Sequence, residues 1–327
     1  MKTVLITGVA GFIGSHLGEK LVADGFKVIG IDCFDPYYNR EIKEDNLKCL
    51  KKSSLFKLYE FNITSKQSFE VIKEKIDAVI HLAAKAGVRP SIEFPEDYVE
   101  TNVSGTLNVL SFLRDKGIKK YIFGSSSSVY GNNLSIPFKE SDSVDHPISP
   151  YAATKKSCEL LNYNFHHLYN IDTINLRFFT VFGPRQRPDL AIHKFVKIIS
   201  KDKAVTLYGD GSTARDYTYV SDIVEGIMGG LSYLLSKQNV YEIVNLGNNN
   251  PVKLSELVSI IYNTLKKRPL LKYLPMQPGD VETTFADISK AKKLWGYSPK
   301  VSMEKGIKDF VDWYCEVIEK REAIVKV

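Results

Sequence analysis

The stretch GVAGFIG at residues 8–14 lies between a β-branched apolar run at 2–7 and a segment of helical periodicity at 15–24. This order predicts a strand, a glycine turn and a helix. In such a turn the first glycine permits the tight bend, the second lets the backbone approach a pyrophosphate, and the third lets the helix pack closely on the strand. The free N–H groups at the start of the helix then face the phosphates. We therefore expect contacts to a dinucleotide from Gly8, Gly11, Phe12, Ile13 and Gly14, and a glycine turn without a ligand is the alternative.

The residue that ends the next predicted strand indicates which dinucleotide would bind. That strand covers residues 27–32 and closes with Asp32, at about the separation from the glycines where a ribose hydroxyl needs an acceptor. A carboxylate there favours a free 2′-hydroxyl and repels a 2′-phosphate. The sequence therefore predicts NAD as the cofactor, while Arg40 keeps NADP open as the alternative.

Strands and helices go on alternating after this point, which is typical of a parallel sheet with helices on both faces. The segments predicted as strands are 55–61, 78–81 and 119–124, and those predicted as helices are 65–75 and 96–116. From about residue 178 the chain becomes irregular, aromatic and basic before further helices and strands follow. We predict an α/β fold with a Rossmann-type doubly wound parallel sheet over residues 1–178, to which a later segment at about 215–248 returns. A smaller α/β substrate-binding domain is expected mainly from residues 179–327.

The composition argues against several classes of protein. The 327 residues are 44% hydrophobic and 25% charged, as in a globular chain long enough for a large core. The start MKTVLITG and the short apolar runs fit neither a signal peptide nor a membrane span. The four cysteines lack the spacing of a zinc site or a disulfide framework, so we expect no metal and a cytoplasmic location. The net charge of +6 comes from dispersed lysines, and the aromatic residues follow no base-stacking pattern, so nucleic acid is not expected as a partner.

A candidate catalytic set lies in the sequence SPYAATK, which starts at Ser149. Ser149 is a favourable helix N-cap and Pro150 a favourable first helical residue, so Tyr151 and Lys155 fall one turn apart on one face. A cation close to a phenol favours the phenolate, which could act as a general base near neutral pH. A serine from the tract at 125–128 could complete a hydroxyl relay. The alternative is that a long helix offers this spacing by chance.

Further polar and small residues near predicted loops are candidates for binding. Asn102 lies inside a predicted helix, where it is either solvated or bridges loops beside a cofactor. The sequence Leu-Ala-Ala at 82–84 follows a buried strand, and its small side chains suit a loop passing under a cofactor. Arginines near loops, in a half otherwise rich in lysine, indicate bidentate grips on phosphate or carboxylate. These arginines are Arg185, Arg187 and Arg215.

Taken together, these motifs resemble the extended short-chain dehydrogenase/reductase family. The matching motifs are GVAGFIG at 8–14, Asp32, HLAA at 81–84, Asn102, SSSSVYG at 125–131, SPYAATK at 149–155, RFFTVFGPRQRP at 177–188, ARDYTYV at 214–220 and QPGDV at 277–281. They span nearly the whole chain. Within the family the chain is similar to the nucleotide-sugar 4-epimerases, and among these to the UDP-glucuronate 4-epimerases.

The resemblance implies a tightly held NAD⁺ and epimerisation at C4 of a UDP-sugar through a transient 4-keto intermediate. It implies that Tyr151 is the base, that Lys155 and the nicotinamide charge keep it ionised, and that Ser126 bridges the phenol to the sugar hydroxyl. Tyr151 and Lys155 also contact the cofactor in this scheme. The further cofactor contacts that the resemblance implies are Asn62, Ile63, Leu82, Ala83, Ala84, Asn102 and Phe178.

The residues after Ser126 separate this chain from related families. Nucleotide-sugar 4,6-dehydratases carry an Asp-Glu pair at these two places, because loss of water needs its own acid and base. UDP-glucuronate decarboxylases typically carry a Glu at the second place. Here the two places are Ser127 and Ser128. With Thr180, they are expected to donate hydrogen bonds to a sugar carboxylate.

Similar proteins bind the UDP diphosphate and ribose with residues that match Arg187, Arg215 and Asp280. Gln277 stands where the UDP-glucose 4-epimerases have an arginine that grips the diphosphate, which argues against a neutral hexose substrate. Arg89 is a further candidate for the sugar end, with a solvated loop residue as the alternative.

Three functions remain open on the sequence. The first is 4-epimerisation of UDP-glucuronate, and the second is 4-epimerisation of a neutral UDP-hexose or UDP-N-acetylhexosamine. The third is a catalytically idle nucleotide-binding regulator, against which the intact serine, tyrosine and lysine set argues. Because relatives commonly dimerise through a four-helix bundle, a homodimer is expected through 96–116 and 151–169.

Overall fold

The computed structural model describes residues 1–275 and 283–319. Its strands are β1 (Thr3–Thr7), β2 (Lys27–Asp32), β3 (Phe56–Glu60), β4 (Ala78–His81), β5 (Lys120–Ser126), β6 (Asp172–Phe178), β7 (Thr180–Phe182), β8 (Val205–Tyr208), β9 (Ala214–Tyr219), β10 (Tyr241–Leu246), β11 (Pro251–Lys253) and β12 (Leu271–Leu274). Its α-helices are α1 (Phe12–Ala23), α2 (Arg40–Asn46), α3 (Val88–Glu93), α4 (Pro95–Tyr98), α5 (Gly105–Lys116), α6 (Pro150–Tyr169), α7 (Ala191–Ser200), α8 (Val220–Ser236), α9 (Leu254–Leu265), α10 (Ser289–Trp295) and α11 (Met303–Trp313). Short 3₁₀ turns cover Leu50–Lys52, Lys66–Val71 and Ser127–Tyr130, and π-helical turns cover Val99–Ser104 and Tyr314–Glu319.

Seven strands form one parallel sheet in the order β10-β6-β5-β4-β1-β2-β3. The predicted Rossmann-type doubly wound parallel sheet is confirmed. The chain runs outward from β1 to β3, then reverses and runs outward from β4 in the other direction. Open parallel sheets bind ligands outside the carboxyl ends of their strands, at the point of this reversal. The fold therefore places the candidate cleft between the ends of β1 and β4.

The pleat of the strands sorts their apolar side chains into two cores. In β1, Val4 and Ile6 belong to one core and Leu5 to the other, because successive side chains point to opposite faces. The first core is covered by α1 and α8, and the second by α5 and α6. The sheet is buried on both faces, as a parallel sheet requires.

The second half of the chain builds a separate core on smaller sheets. One sheet has the order β11-β9-β7, and β8 pairs with β12 in another. Residues of α7, α9 and α11 pack into this third core. The segment at about 215–248 is expected from the sequence to return to the large sheet. Its strand β10 is an edge strand of that sheet, and its helix α8 packs on one face of the sheet, whereas β9 lies in the three-stranded sheet.

The helix predicted at 65–75 is wrong. The chain there forms the 3₁₀ turn Lys66–Val71, and extended backbone follows at Ile72. Phe69 and Ile72 are both buried in the second core. Apolar residues three apart fit a 3₁₀ turn as well as an α-helix, so periodicity over so few residues does not separate the two.

The helix predicted at 96–116 is interrupted. It consists of α4, the π-helical turn Val99–Ser104, and α5. The wide turn contains Asn102, which is buried. Single π-turns inside helices are frequent at functional sites.

The predicted strand at 119–124 is longer than expected, because Ser125 and Ser126 continue β5. In the part of the chain that the structure describes, no helix has both the length and the apolar character needed to cross a membrane.

Candidate active site

The glycine turn brings β1, α1 and the chain after β4 into close contact. Gly8 has a φ of +74°, and a Cβ there would lie 2.8 Å from the amide nitrogen of Ala83. A Cβ on Gly14 would lie 2.2 Å from the carbonyl oxygen of Gly8. Gly11 is the N-cap of α1 and makes no side-chain cap. The N–H groups of the first helical turn, which include those of Phe12, Ile13 and Gly14, are thus left to a ligand.

Asp32 lies directly behind this turn. Its Oδ2 accepts a hydrogen bond from the Ala10 amide at 2.9 Å, and its Oδ1 accepts one from the Phe34 amide at 2.8 Å. Burial raises the pKa of Asp32, and the backbone donors oppose that shift. Each oxygen accepts one backbone donor and has a second lone pair with which it can accept a ribose hydroxyl.

Arg40 is engaged elsewhere. Its guanidinium donates to Glu60 at 2.7 and 2.8 Å and to Glu44 at 2.8 Å, and it stacks over the ring of Phe34 at 4.3 Å. A cation in this arrangement is neutralised by two carboxylates, so it is a poor receptor for a 2′-phosphate.

The loop after β4 is held by hydrogen bonds from Asn102. The Asn102 Oδ1 accepts from the Lys85 amide at 2.8 Å, and its Nδ2 donates to the Lys85 carbonyl at 3.0 Å and to the Thr154 hydroxyl at 3.0 Å. Asn102 thus bridges this loop to α6 and is not solvated. The residues Leu82, Ala83 and Ala84 are partly buried in this loop, and the Ala83 amide donates to the Thr7 hydroxyl at 3.2 Å.

Three more of the expected cofactor residues lie at the ends of strands. Asn62 is exposed and its Oδ1 accepts from the Thr64 amide at 3.0 Å. Ile63 is buried so close to Gly105 that a Cβ on that glycine would lie 2.7 Å from Ile63 Cδ1. Phe178 is the last residue of β6 and is partly buried.

The catalytic candidates meet where α6 begins beside the end of β5. The Ser149 hydroxyl accepts from the Ala152 amide at 3.2 Å, which caps the helix as predicted. Lys155 is buried, and its Nζ donates to the Gly124 carbonyl at 2.8 Å. Tyr151, one turn earlier on α6, is partly buried.

The serine tract has a defined geometry. Ser126 is the last residue of β5, and its Oγ accepts from the Ser128 amide at 3.1 Å and donates to the Ser128 hydroxyl at 3.2 Å. Ser127 and Ser128 begin the 3₁₀ turn and are partly buried. Three hydroxyl groups therefore follow one another at the end of β5.

Burial acts against ionisation of both Tyr151 and Lys155. Burial raises the pKa of Tyr151, while a hydrogen bond with Ser126 and the positive charge of Arg187 lower it. Burial also lowers the pKa of Lys155 to about 8. The sequence argument named Lys155 as the cation that favours the phenolate, whereas in the structure the cation that lowers the pKa of this phenol is Arg187. The charge of Arg187 therefore opposes the effect of burial on Tyr151.

Arg187 is held beside the cleft by partners that the motifs did not indicate. Its Nε and Nη2 donate to Asp189 at 2.9 and 2.8 Å, and Nη2 also donates to the Ala86 carbonyl at 3.3 Å. The Tyr37 hydroxyl donates to the same aspartate at 3.3 Å. Tyr98 donates to the Ala86 carbonyl at 3.2 Å and meets the ring of Tyr151 edge-on, with centroids 6.2 Å apart.

The remaining substrate candidates lie on other elements of the chain. Thr180 begins β7 and pairs with Tyr217 of β9, two residues after Arg215. The Arg215 Nη1 donates to the Ala214 carbonyl at 2.9 Å. Arg89 is exposed in the first turn of α3 instead of in a loop. Asp280 and Gln277 lie outside the described residues.

A parallel Rossmann-type sheet with serine, tyrosine and lysine gathered at the ends of its strands is the architecture of the extended short-chain dehydrogenases/reductases. The chain belongs to the family described as GDP-mannose 4,6 dehydratase, which matches residues 5–310.

Similar proteins agree with this assignment. A UDP-glucuronate 4-epimerase from Thermodesulfobacterium geofontis is 46% identical over 327 residues, covering 99% of this chain and 99% of that protein. The crystal structure of a UDP-glucuronic acid 4-epimerase from Bacillus cereus with UDP-glucuronic acid and NAD is 35% identical, with a TM-score of 0.89 over 96% of this chain and 99% of that one. A UDP-N-acetylglucosamine 4-epimerase from Methanobrevibacter ruminantium, in complex with UDP-N-acetylmuramic acid, is 33% identical, with a TM-score of 0.87 over 96% of this chain and 98% of that one.

The lowered pKa of Lys155 predicts a gain in stability when its charge is removed. The unfolded chain binds this proton more tightly than the folded chain, so the folded state is penalised below pH 8 and the penalty disappears as pH rises towards the unfolded pKa of about 10.4. Without a dinucleotide, Lys155→Met is expected to raise the free energy of unfolding at pH 7 by about 1 to 3 kcal/mol, and by less at pH 10. Urea unfolding at both pH values measures this, with Lys156→Met as the control. A Lys155→Met protein no more stable than the parent at pH 7 would contradict it.

Proposed function

We propose that the protein is an NAD-dependent UDP-sugar 4-epimerase that converts UDP-glucuronate to UDP-galacturonate. The observation that carries the proposal is that Ser126, Tyr151 and Lys155 meet at the end of β5, beside a glycine turn suited to a dinucleotide. The relatives named as UDP-glucuronate 4-epimerases match almost the whole chain and support the choice of reaction and sugar.

The residues of the cleft fit NAD as the cofactor. The backbone of the glycine turn would hold the pyrophosphate, and Asp32 would accept the ribose hydroxyls. A carboxylate at this point and an Arg40 already paired with Glu44 and Glu60 both favour NAD over NADP. When bound, the dinucleotide supplies the oxidant for the sugar alcohol and later the reductant for the ketone.

The protein's own part in the reaction is to move one proton and to orient the sugar. Tyr151 as phenolate takes the proton of the O4 hydroxyl, directly or through the Ser126 hydroxyl. It returns the proton after the 4-keto sugar has rotated in the site to present its other face. Lys155 and Arg187 stabilise the phenolate by their charge. Burial raises the pKa of Tyr151 and the charge of Arg187 opposes that shift, so loss of Arg187 would make the phenol harder to ionise.

The hydroxyl groups after Ser126 suit a uronate. A 4-keto-glucuronate is a β-keto acid, and it loses CO₂ when the bond to its carboxylate aligns with the π-system of the ketone. Ser127, Ser128 and Thr180 are partly buried and would hold the carboxylate out of that alignment by hydrogen bonds. None of these three residues ionises near neutral pH, so they do not supply the acid and base that dehydration needs.

We assign the nucleotide to the second half of the chain. Residues 1–178, with α8 and β10, would hold NAD, and residues from 179 onward would mainly hold the UDP-sugar. Arg215, Arg187 and Asp280 are proposed for the diphosphate and ribose, and Arg89 for the sugar end. Arg187 is already paired with Asp189, so it would bind the nucleotide only by exchanging that partner.

A neutral-sugar 4-epimerase is the second candidate. The likeness to a UDP-N-acetylglucosamine 4-epimerase favours it, because the two chains share the fold over nearly their full lengths. Both candidates use the same first oxidation, so the sugar is decided by the contacts at its C5 substituent and, for an N-acetylhexosamine, at its C2 substituent.

The test of the proposal is a panel of UDP-sugars incubated with purified protein, followed by separation of the products. We expect UDP-glucuronate to be converted in preference to UDP-glucose and UDP-N-acetylglucosamine. Tyr151→Phe is expected to lower turnover about a thousandfold, because general-base catalysis is lost, while bound NAD is unchanged. Preferred conversion of a neutral sugar would favour the second candidate. If no UDP-sugar is converted, the third function, a nucleotide-binding regulator, is the one that remains. If turnover in Tyr151→Phe is undiminished, Tyr151 is not the base.

The role of Thr180 predicts a change in product. Thr180→Val removes one hydroxyl while nearly keeping the volume, so the carboxylate loses one hydrogen bond. We expect the KM for UDP-glucuronate to rise about tenfold, or UDP-pentose to form by loss of CO₂, as measured by chromatography of the products. Residual turnover of UDP-glucose, which lacks the carboxylate, serves as the control. If neither the KM nor the pentose yield changes, Thr180 does not grip the carboxylate.

We also infer a homodimer through α5 and α6. Both helices expose large apolar side chains, and exposed apolar patches mark interaction surfaces. The exposed fractions are 42% for Leu107, 59% for Leu160, 54% for Tyr163 and 55% for Leu168. A second copy of the same chain would cover these residues by packing the two helix pairs together.

A cytoplasmic location stays a prediction, which cell fractionation would test.

The dimer predicts a change in molecular mass on mutation. Leu160→Lys places a charge in the interface, and we expect the mass measured by light scattering to fall to that of one 36.9 kDa chain. Leu134→Lys is the matched control, because Leu134 is 96% exposed on a loop outside both helices. A monomeric parent, or a Leu160→Lys protein of the same mass as a dimeric parent, would refute this interface.

A further inference from the structure

A fully buried ion pair lies behind the candidate catalytic residues. The Arg177 Nε donates to Glu159 Oε1 at 3.0 Å, and its Nη2 donates to Glu159 Oε2 at 2.8 Å. Each side chain is 1% exposed. The guanidinium also lies over the ring of Tyr130 at 4.8 Å from its centroid. The bidentate geometry gives both carboxylate oxygens a charged donor away from the solvent-exposed surface.

The pair connects the two elements that carry the chemistry. Glu159 stands one turn after Lys155 on α6, and its Oε1 also accepts a hydrogen bond from the Ser125 hydroxyl at 2.7 Å. Ser125 precedes Ser126 in β5. The Lys155 ammonium meanwhile binds the carbonyl of Gly124, the residue before Ser125. Successive residues at the end of β5 are therefore tied to successive turns of α6.

A gain in folding stability does not by itself account for the buried ion pair of Glu159 and Arg177. Moving two charges out of water costs several kcal/mol per ion, and a pair of apolar residues of similar volume is often as stable or more so. A buried ion pair does, however, fix the relative position of the groups that it joins, because few arrangements satisfy all its hydrogen bonds.

We propose that Glu159, held by Arg177, is a positioning residue for the proposed epimerase reaction. Through its hydrogen bond with Ser125, Glu159 sets Ser126 opposite Tyr151, and its negative charge offsets the charge of Lys155. This inference rests on the proposed function. It concerns residues that touch neither the sugar nor the cofactor in the proposed scheme.

The charges around Lys155 determine whether removing the Glu159 carboxylate raises or lowers the pKa of Lys155. The titratable groups that interact with it are Cys158 and Glu159 on its own helix and His81 on β4, and Arg177 on β6 is paired with Glu159. Burial holds the pKa of His81 at about 3, so it is neutral at working pH. The negative charge of Glu159 raises the pKa of Lys155, so without this carboxylate Lys155 would lose its proton at a lower pH.

The same two strands offer a matched control. Ser125 pairs with Arg177 across β5 and β6 near the catalytic end, and Lys120 pairs with Asp172 at the other end. The Lys120 Nζ lies 2.7 Å from Asp172 Oδ2, and both side chains are largely buried. Asp172→Asn therefore breaks an ion pair between the same strands, away from the catalytic residues.

The experiment compares Ser125→Ala, Glu159→Gln and Asp172→Asn with the unmodified holoenzyme. The readouts are kcat and KM for UDP-glucuronate across pH, NAD content and thermal stability. Ser125→Ala is expected to lower kcat about tenfold with KM and NAD content unchanged. Glu159→Gln is expected to lower kcat further and to move the alkaline limb of its pH profile down by about one pH unit. Asp172→Asn is expected to lower only the melting temperature.

The outcomes separate this inference from the proposed function. If the unmodified protein epimerises no UDP-sugar, the proposed function fails. If it is active and Ser125→Ala keeps the parent kcat, the positioning role is overturned, whether or not Glu159→Gln folds. An unshifted alkaline limb in folded Glu159→Gln overturns the charge role. Equal losses of kcat in Ser125→Ala and Asp172→Asn show a general effect on stability and also overturn the proposal.

Discussion

The hydrogen bond from the Lys155 ammonium to the Gly124 carbonyl is the contact on which the candidate site depends. It joins α6 to the end of β5 across a buried region, so the cation cannot be solvated by water. A single carbonyl replaces only part of the lost hydration, and the pKa of Lys155 falls to about 8 as a result. Tyr151 lies one turn earlier on the same helix.

The cleft collects its groups from the carboxyl ends of parallel strands that lie side by side. The glycine turn follows β1, Asp32 ends β2, the loop held by Asn102 follows β4, and Ser126 ends β5. These residues are far apart in sequence, but every strand of a parallel sheet delivers its carboxyl end to the same edge. The close approach of Gly8 to Ala83 shows how tightly two of these ends meet.

The parts of this site that depend on local spacing could be predicted from the sequence. The strand, glycine turn and helix at the start, and the Ser149 cap that begins α6, each follow from neighbouring residues. The 3₁₀ turn at Lys66–Val71 and the π-turn around Asn102 could not, because helical periodicity over short segments allows several turn types. The pairing of Arg187 with Asp189 is also local, but no motif says that two nearby charged residues face each other. The Glu159 and Arg177 pair joins different elements, and only the folded chain reveals it.

The distribution of charge in the cleft bears on the order of chemical events that the proposed reaction needs. A keto-uronate must keep its carboxylate while hydride returns. A general acid or base close to that carboxylate would promote loss of CO₂. The proposed proton-transfer group Tyr151 and the cation Lys155 are both on α6, while Ser127 and Ser128 lie in the turn after β5 and carry hydroxyls alone. Neutral donors hold a carboxylate without exchanging protons with it. In the proposed scheme, placing the proton-transfer group and the carboxylate donors on two elements would therefore let hydride return without promoting loss of CO₂.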